Sequence, residues 1–438
     1  MTGRPLHAAL LPPGDRLQEL LARALDGSGP ALAPVDPGLP SARLREVLRM
    51  LAPAAVITPD GSTRRRGGRA VLDGTALVIV TSGSTGSPKA AELSAAALLA
   101  SARASMERIG AAPGERWLCC LPASHIAGMQ VLVRSLLAGT TPLVCAPSDT
   151  ATIASAAGDG CAHASLVPTQ LRRLLDLDSG PGRPRPPAPG GAAAPGGAAA
   201  PGGAAAPGGA GVPGVPALSG LRTILLGGAA APTGLVETAS AAGAHVVTTY
   251  GMTETCGGCV YDGVPLDGVA VRAGDGGPIR LAGPVLMSGY RLRPDLTAAA
   301  MDGRWFVTSD LGRLDPGDRL TVLGRADDVI TTGGEKVLAG EVAAAVETHP
   351  EVREAIVFGV ADPEWGERVT AVIVPAGARR PPSLSDLRAH VAARLGPPAA
   401  PRDMIVASEI PLLPSGKPDV AALRTRIREQ SRGLSVSK

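Results

Sequence analysis

The chain has 438 residues, enough for two or more domains with a sizeable core. Its 45% hydrophobic and 18% charged residues are typical of a water-soluble globular protein. The net charge of +3 and the 2% of aromatic residues do not favour a nucleic-acid partner, which needs basic and base-stacking surfaces. The six cysteines show no disulfide framework, the N-terminus lacks the apolar core of a signal peptide, and no apolar run approaches the roughly 20 residues that span a bilayer. We therefore expect a cytoplasmic protein without a membrane span.

Strand-like and helix-like segments alternate along most of the chain. The apolar run "ALVIV" (76–80) leads into a turn rich in glycine and hydroxyl side chains, and a helix is predicted from Ser94 to about Ile109. "RWLCCLP" (116–122) precedes the helical "AGMQVLVRSLLAG", and "TPLVC", "HASLVP" and "RTILLGGAAAP" are typical of buried strands that enter turns. This alternation predicts a large N-terminal domain, residues 1–325, of layered α/β sheets.

Residues 181–216 interrupt that pattern with three consecutive copies of "PGGAAA". Proline and glycine prevent regular structure, and alanine offers little surface to bury. The composition predicts a disordered insertion at the surface. A polyproline segment that binds a partner would be expected to carry more basic residues than this one does, and aromatic neighbours as well.

The pattern changes after about residue 325. A helix over "GEVAAAVETHP" leads to the strands "EAIVFGV" and "RVTAVIV". A second helix is predicted to start at the capping pair Ser383 and Asp386 and to end at Gly396. Residues 326–438 are therefore predicted to form a small α+β domain.

The turn "TSGSTGSPKA" (81–90) has the composition of an anion site. Gly83 and Gly86 permit a close backbone approach, and Lys89 adds positive charge. It is not a Walker loop, because Ser87 and Pro88 separate the lysine from Gly86. The hydroxyl donors of the turn are Thr81, Ser82, Ser84 and Thr85. Taken alone, the turn is also compatible with a serine-rich loop that binds nothing.

Five further motifs follow in order: "YGMTET" (250–255), "TSDLG" (308–312), "GRADD" (324–328), "TTGGEK" (331–336) and "LPSGKPD" (413–419). The set resembles the adenylate-forming superfamily of acyl-CoA synthetases, peptide-synthetase adenylation domains and luciferases. The resemblance extends from residue 76 to the C-terminus, apart from the insertion. It implies a large N-terminal domain and a small C-terminal domain joined by a hinge.

In that superfamily a carboxylate attacks the α-phosphate of ATP, pyrophosphate leaves, and an acyl-adenylate forms. The resemblance implies that Glu254 holds Mg²⁺ and is catalytic together with Thr253, which donates to the α-phosphate. Tyr250 would pack on the adenine, and Asp310 would accept the ribose hydroxyls. The full set of ATP-binding residues so implied is Thr81, Ser82, Gly83, Ser84, Thr85, Gly86, Lys89, Gly228, Tyr250, Gly251, Asp310 and Arg325.

The small domain carries the remaining implied roles. Lys417 matches the catalytic lysine that bridges the attacking carboxylate and the α-phosphate, and Asp419 is placed to cap the helix after it. Gly333 and Gly334 match the turn along which coenzyme A passes. Both features belong to one mobile domain, so rotation about the hinge residue Asp327 is expected to exchange them.

Other residues are less specific. His125, in "LPASHIAGMQ", matches a position that gates the acyl-substrate pocket, with a buried structural histidine as the alternative. Cys256 and Cys259 are interpreted as pocket lining, because no second pair with zinc spacing accompanies them. Ala90 and Ser309 stand where relatives usually carry glycine; both are small, so activity is expected to survive.

The short segment before residue 81, with "LPASHIAGMQVLVRSLLAG" and "SLVPTQLRRLL", resembles the actinobacterial form of the o-succinylbenzoate-CoA ligases of menaquinone biosynthesis. The resemblance implies ATP, Mg²⁺, coenzyme A and a small carboxylic acid as cofactors and substrates. A second substrate carboxylate needs a basic partner; Arg134 is available, but a continuous helix would place it opposite His125, so it is not assigned. Alternatives are another acyl- or aryl-acid CoA ligase, a stand-alone adenylation domain that loads a carrier-protein thiol, and a non-catalytic nucleotide-binding protein. The oligomeric state stays open, with a homodimer as one candidate.

Overall fold

The computed structural model describes residues 3–81, 88–179, 216–232, 234–377, 380–411, 418–420 and 422–425. The helices are α1 (Asp15–Leu25), α2 (Ser41–Leu51), α3 (Ala95–Ile109), α4 (Ile126–Ala138), α5 (Thr150–Ser155), α6 (Pro168–Ser179), α7 (Pro216–Ser219), α8 (Leu235–Ala241), α9 (Pro294–Ala299), α10 (Ala339–Glu347) and α11 (Leu384–Leu395). Across these described residues, every helix is too short or too polar to cross a membrane.

The strands belong to four sheets. In chain order they are β1 (Leu6–Ala9), β2 (Ala31–Pro34), β3 (Ala55–Thr58), β4 (Gly61–Arg64), β5 (Thr75–Thr81), β6 (Lys89–Ser94), β7 (Arg116–Cys119), β8 (Leu143–Val144), β9 (Cys161–Leu166), β10 (Thr223–Leu226), β11 (Val246–Met252), β12 (Gly257–Tyr261), β13 (Val264–Pro265), β14 (Ala270–Arg272), β15 (Gly277–Ala282), β16 (Gly289–Tyr290), β17 (Met301–Asp302), β18 (Trp305–Leu314), β19 (Leu320–Arg325), β20 (Val329–Thr332), β21 (Glu335–Leu338), β22 (Val352–Asp362), β23 (Gly366–Pro375) and β24 (Asp403–Val406).

Two sheets form the body of the large domain. The first has the strand order β16-β6-β5-β2-β1-β3-β4, and the second β13-β12-β11-β10-β9-β7-β8. Their inner strands pair in parallel, for example β1 with β2 and β9 with β10, while the β5–β6 and β11–β12 hairpins are antiparallel. The predicted α/β layers are therefore confirmed.

The main core lies between these two sheets, around α3 and α4. It includes Leu77 and Leu93 from the first sheet and Trp117 and Leu225 from the second, all buried. Helix α3 begins and ends as the sequence predicts. The hydroxyl of Ser94 accepts the N–H of Ala97 at 3.1 Å, and Gly110 ends α3 in the left-handed conformation.

A third sheet, β14-β15-β18-β17 with β19 on β18, follows the main core in the chain. The fourth sheet, β21-β20-β23-β22 with β24 beside β23, takes all its described strands from residue 329 onwards. Helices α10 and α11 pack on it, and Ser383 caps α11 through Asp386 as expected. The large α/β domain and the small C-terminal domain that the sequence predicts are thus both present.

The domain boundary after residue 325 and the hinge at Asp327 stay predictions. The insertion at 181–216 lies outside the described residues, apart from its last residue.

Candidate active site

The glycine-rich turn joins the antiparallel strands β5 and β6, with Thr81 opposite Lys89. Ser82, Gly83, Ser84, Thr85 and Gly86 lie outside the described residues, so the structure positions only the two ends of the turn.

In the strand that follows the turn, Glu92 of β6 forms a buried ion pair with Arg291 at 2.9 Å. The guanidinium of Arg291 also donates to the carbonyls of Leu51, Ala70 and Arg69. Every group of this pair is therefore compensated, and the base of the turn is held in place.

Glu254 lies in a single 3₁₀ turn, Thr253–Thr255, that connects β11 to β12. Two helices hold the end of this turn in place. Gln130 of α4 and Ser101 of α3 both donate to the carbonyl of Cys256, the residue after the turn, at 2.7 and 3.1 Å. Gly251 must be glycine here, since a Cβ would stand 2.1 Å from the carbonyl oxygen of Gly257. These contacts place Thr253 and Glu254, both half-buried, at the end of β11.

The carboxylate of Glu254 is held by Tyr290, a residue that the sequence analysis missed. The Tyr290 hydroxyl donates to Glu254 Oε1 at 2.8 Å, and Lys89 Nζ lies 5.2 Å from the centre of the same ring. Burial and the adjacent carboxylate raise the pKa of Tyr290, so its hydroxyl stays protonated and remains a donor. We call Lys89, Tyr290 and Glu254 the Glu254 group. The one sequence signal for Tyr290 is that the chain has only three tyrosines.

A second carboxylate, that of Asp310, is held by Tyr250 near the end of β11. Tyr250 donates its hydroxyl to Asp310 Oδ2 at 2.9 Å, and Arg325 Nη1 donates to Asp310 Oδ1 at 3.1 Å. Arg325 is opposite Asp310 in the β18–β19 register and also contacts Asp327 Oδ2 at 3.2 Å. We call Tyr250, Asp310 and Arg325 the Asp310 group. Burial and the Asp310 charge raise the pKa of Tyr250, which therefore remains a donor.

Ser309 has a contact that the sequence analysis did not foresee. Its hydroxyl accepts a hydrogen bond from Arg325 Nη2 at 3.1 Å. The serine that stands where a glycine was expected thus helps to orient Arg325. At the other departure, the small Ala90 is buried within the strand after the turn.

Gly228 follows β10 in the left-handed conformation, with a φ of 83°, and is exposed beside the ends of β9 and β11. His125 is exposed at the first position before α4. The alternative of a buried structural histidine is therefore wrong.

The interpretation of Cys256 and Cys259 as pocket lining is also wrong. Both thiols are completely buried, one in the main core and the other against β15. Burial raises their pKa values, to about 12 for Cys259, so they act as small apolar side chains.

Gly333 and Gly334 form the two-residue turn between β20 and β21, both with positive φ (59° and 86°), which favours glycine. The turn is exposed and is backed by Trp365, whose carbonyl accepts the N–H of Gly333 at 2.9 Å. A Cβ on Gly333 would stand 3.0 Å from the Trp365 ring, whereas a Cβ on Gly334 would meet open space.

Lys417 lies outside the described residues. Just beyond it, Asp419 accepts the N–H of Ala422 at 2.9 Å and caps the following helical segment, as the sequence predicted.

Arg134 is the remaining charged group of interest. Its helix begins at Ile126, with His125 as the N-cap residue whose carbonyl accepts the N–H of Met129 at 3.1 Å. Arg134 is 5% exposed, lies 4.7 Å from the Trp117 ring, and donates to Ser165 Oγ at 3.3 Å. Among the described residues, its guanidinium has no carboxylate partner and its Nε has no hydrogen bond.

Magnesium fits the donors of this site. Mg²⁺ in nucleotide enzymes usually takes one or two carboxylates, with phosphate oxygens and water as its other ligands. Because Tyr290 occupies one oxygen of Glu254, the other oxygen is oriented for a ligand. Glu254 would therefore hold the metal mainly in partnership with ATP itself.

Comparisons with known proteins agree with this geometry. The family model for AMP-binding enzymes matches residues 68–283, and the model for their C-terminal domain matches residues 341–417. A probable 2-succinylbenzoate–CoA ligase of Mycobacterium tuberculosis is 44% identical over 87% of this chain and 94% of its own length. The 2-succinylbenzoate–CoA ligase of Escherichia coli is 31% identical over 81% of this chain and 74% of its own length.

Among solved structures, o-succinylbenzoate CoA synthetase (MenE) from Bacillus subtilis, in complex with the acyl-adenylate intermediate OSB-AMP, superposes with a TM-score of 0.75. It is 25% identical, and the match covers 97% of this chain and 89% of that one.

Proposed function

The chain belongs to the AMP-binding enzyme family, and from this membership we propose that it is an AMP-forming acid–CoA ligase that converts 2-succinylbenzoate (o-succinylbenzoate) to its CoA thioester. The observation that carries the proposal is the meeting of the Glu254 group and the Asp310 group at the end of β11. One group suits a metal and phosphates, and the other suits a ribose and an adenine. The product and the relatives together support a place in menaquinone biosynthesis.

In the first half-reaction the nucleotide is held at both ends. Asp310 uses two lone pairs for Tyr250 and Arg325, and its oxygens retain others that can accept the ribose hydroxyls. Lys89 and the turn after β5 would hold the β- and γ-phosphates, and Thr253 would donate to the α-phosphate. Bound magnesium supplies positive charge that neutralises the departing pyrophosphate.

The substrate carboxylate then attacks the α-phosphate, and negative charge develops there. Lys417 would stabilise this charge when the small domain docks on the site. The acyl-adenylate stays bound by the same ribose contacts.

In the second half-reaction the CoA thiol attacks the acyl carbonyl and AMP leaves. The turn of Gly333 and Gly334 supports this step, because it is exposed, lacks side chains and is backed by an aromatic ring. A pantetheine arm could pass close to such a backbone. Asp327, ion-paired with Arg325 at 3.2 Å, would be the hinge about which the small domain turns.

Arg134 supports a substrate with two carboxylates. A buried cation that lacks an anionic partner is costly, and it persists more readily where a ligand completes it. Burial lowers the pKa of Arg134, which is the mark of an undercompensated cation. We assign Arg134 to the substrate carboxylate that is not activated.

A panel of acids tests the proposal. CoA thioester formation should be fastest with 2-succinylbenzoate and slower with analogues that lack either carboxylate. Arg134→Met should lower kcat/KM for 2-succinylbenzoate by about 10- to 100-fold, the cost of losing a charged hydrogen-bond partner. The same variant should retain activity on the analogue that lacks the second carboxylate.

Thermal unfolding separates this role from a structural one. Removing an uncompensated buried charge should leave Tm unchanged or raise it, whereas losing a structural arginine should lower it. If a monocarboxylic acid is preferred, the substrate assignment is wrong although the ligase chemistry stands. If a carrier-protein thiol is acylated and CoA is not, the enzyme is instead an adenylation domain.

We place the reaction in the cytoplasm, where ATP and CoA are available. A homodimer remains a prediction that sedimentation analysis can check.

A further inference from the structure

Two cysteines occupy neighbouring positions at the ends of parallel strands. Strands β7 and β8 pair with Leu118 opposite Leu143 and Cys119 opposite Val144. The same register places Cys120 beside Cys145, and the ladder continues there, since the Cys145 N–H donates to the carbonyl of Cys119 at 3.2 Å. Neighbouring strands lie about 4.8 Å apart, which falls within the Cα separations that a disulfide can bridge.

The two side chains also point in the same direction. Cys120 belongs to the core between the second sheet and α5, α6 and α8, and Cys145 packs against that core. Cys119 points to the other face, into the main core. This alternation is expected along a strand, so Cys120 is the residue of β7 that can reach Cys145.

The two neighbouring thiols differ in access. The Cys120 thiol donates to the carbonyl of Ser165 at 3.5 Å. Cys120 is completely buried, whereas Cys145 is half-buried. The neighbouring Cys120 thiol lowers the pKa of Cys145, and the Cys145 thiol together with burial raises the pKa of Cys120. Cys145, with the lower pKa and the greater exposure, is therefore the more reactive thiol of the two.

We propose that Cys120 and Cys145 form a reversible redox site that closes to an intramolecular disulfide when a small-molecule disulfide is present. The Cys145 thiolate attacks one sulfur of the oxidant, forms a mixed disulfide and releases one small thiol. The Cys120 thiol then loses its proton and attacks the sulfur of Cys145, which breaks the mixed disulfide and releases the second small thiol. Two protein thiols are thus oxidised, and one small disulfide is reduced by two electrons to two thiols.

Oxidation at this site would affect residues that contact Arg134. Gln170 donates to the carbonyls of Cys120 and Pro147, at 3.1 and 3.0 Å, and so ties the loop after β8 to the end of β7. Ser165, whose carbonyl receives the Cys120 thiol, accepts Arg134 through its hydroxyl. A disulfide removes the thiol proton that faces Ser165. If the proposed function holds, the KM for the acid should rise on oxidation, and the KM for ATP should stay near its reduced value.

The test is oxidation of the folded full-length protein with oxidised glutathione, followed by blocking of free thiols and peptide mapping with fragmentation. Fragmentation is needed because Cys119 precedes Cys120 and because Cys145 and Cys161 share a tryptic peptide. The expected result is a Cys120–Cys145 link that dithiothreitol reverses. Cys119→Ala and Cys161→Ser should retain the link, since Cys119 points to the other face of the sheet and Cys161 lies opposite Arg116, at the other end of β7 from Cys120.

The variants of the pair should separate the two steps. Cys120→Ser should stop at glutathione bound to Cys145, and Cys145→Ser should take up no glutathione at Cys120. A stable glutathione adduct on wild-type Cys145, a link from Cys145 to Cys161, or unreacted thiols would each overturn the proposal. Peptide mapping of the disulfide needs no catalytic activity, so its result tests the redox proposal independently of the proposed function.

Discussion

The hydroxyl of Tyr290 donates a 2.8 Å hydrogen bond to Oε1 of Glu254, across 36 residues of sequence. The bond orients the carboxylate that we assign to magnesium, while the same ring lies under Lys89. Tyr290 is 6% exposed, so water cannot easily replace its hydroxyl. Tyr290 is therefore a positioning residue for the proposed metal and phosphate site.

Tyr290→Phe should weaken the response to magnesium. The substitution keeps the ring beside Lys89 and removes only the donor to Glu254. Loss of a partner that orients a metal ligand typically costs about 10- to 100-fold in affinity or activity. The Mg²⁺ concentration for half-maximal AMP formation should rise by about that factor.

Tyr261→Phe is the matched control. Tyr261 is also buried, and its hydroxyl is paired with Ser105 Oγ at 2.7 Å, away from Glu254. This variant should lose some stability and keep the wild-type magnesium dependence. An equal shift in both variants would mean that Tyr290 acts only through the packing of the core.

The two half-reactions should separate in two variants of the small domain. Lys417→Ala should slow acyl-adenylate formation by about 10²- to 10³-fold, because a transition-state charge contact is lost. It should convert pre-made acyl-adenylate and CoA at near the wild-type rate. Gly334→Leu should form the adenylate and fail in CoA transfer. Single-turnover assays follow each step, and equal loss of both steps in either variant would argue against domain alternation about Asp327.

A leucine at Gly334 also strains the backbone, where φ is 86°. Gly377, which follows β23, provides the comparison, with a φ of 66° and open space around it. Gly377→Leu should show a similar loss of Tm with normal CoA transfer. Any transfer defect in Gly334→Leu beyond this control then reports on the CoA path.

Stability should fall below neutral pH, in part through His163. This side chain is completely buried, is stacked on Trp117, and has Glu115 as partner at 2.9 Å. Burial lowers the pKa of His163, and Glu115 opposes this only partly. The folded protein therefore holds the neutral ring in a pH range where the unfolded chain takes up a proton. The stability that the neutral His163 ring contributes is fully present above the ordinary histidine pKa of about 6.5. It declines as the pH falls towards the lower pKa that His163 has in the folded protein.

Urea unfolding at about pH 8 and about pH 5.5 measures this loss, at roughly 1.4 kcal/mol per unit of pKa shift. His163→Asn should be less stable at the higher pH and lose less on acidification. A pH dependence identical to the wild type would show that the loss arises elsewhere, for example at His7 or His390, whose pKa values burial also lowers.

Local signals predicted much of the fold. Ser94 and Gly110 bound α3, and Ser383 and Gly396 bound α11, because caps depend on residues next to them in sequence. The motifs also led directly to Glu254, Asp310 and Arg325. Each of these is recognised by its immediate neighbours.

Contacts between distant residues could not be predicted in this way. Tyr290 reaches Glu254 only because β16 pairs with β6, and nothing near Tyr290 in the chain indicates that pairing. Arg134 was left unassigned because a continuous helix would place it opposite His125, and no local signal indicated that it is buried beside Trp117 and Ser165. Cys256 and Cys259 were placed in a pocket from their nearness to a motif, whereas the end of the 3₁₀ turn and the irregular β11–β12 register direct them into two separate cores.

Acid-dependent exchange of labelled pyrophosphate into ATP, measured without CoA, tests the central claim most directly. Reversible formation of an acyl-adenylate requires ATP, Mg²⁺ and the acid, and no thiol. The account predicts rapid exchange with 2-succinylbenzoate, no exchange when the acid is omitted, and AMP as the nucleotide product once CoA is added. Absence of exchange with every acid tried, together with release of ADP and phosphate, would contradict it.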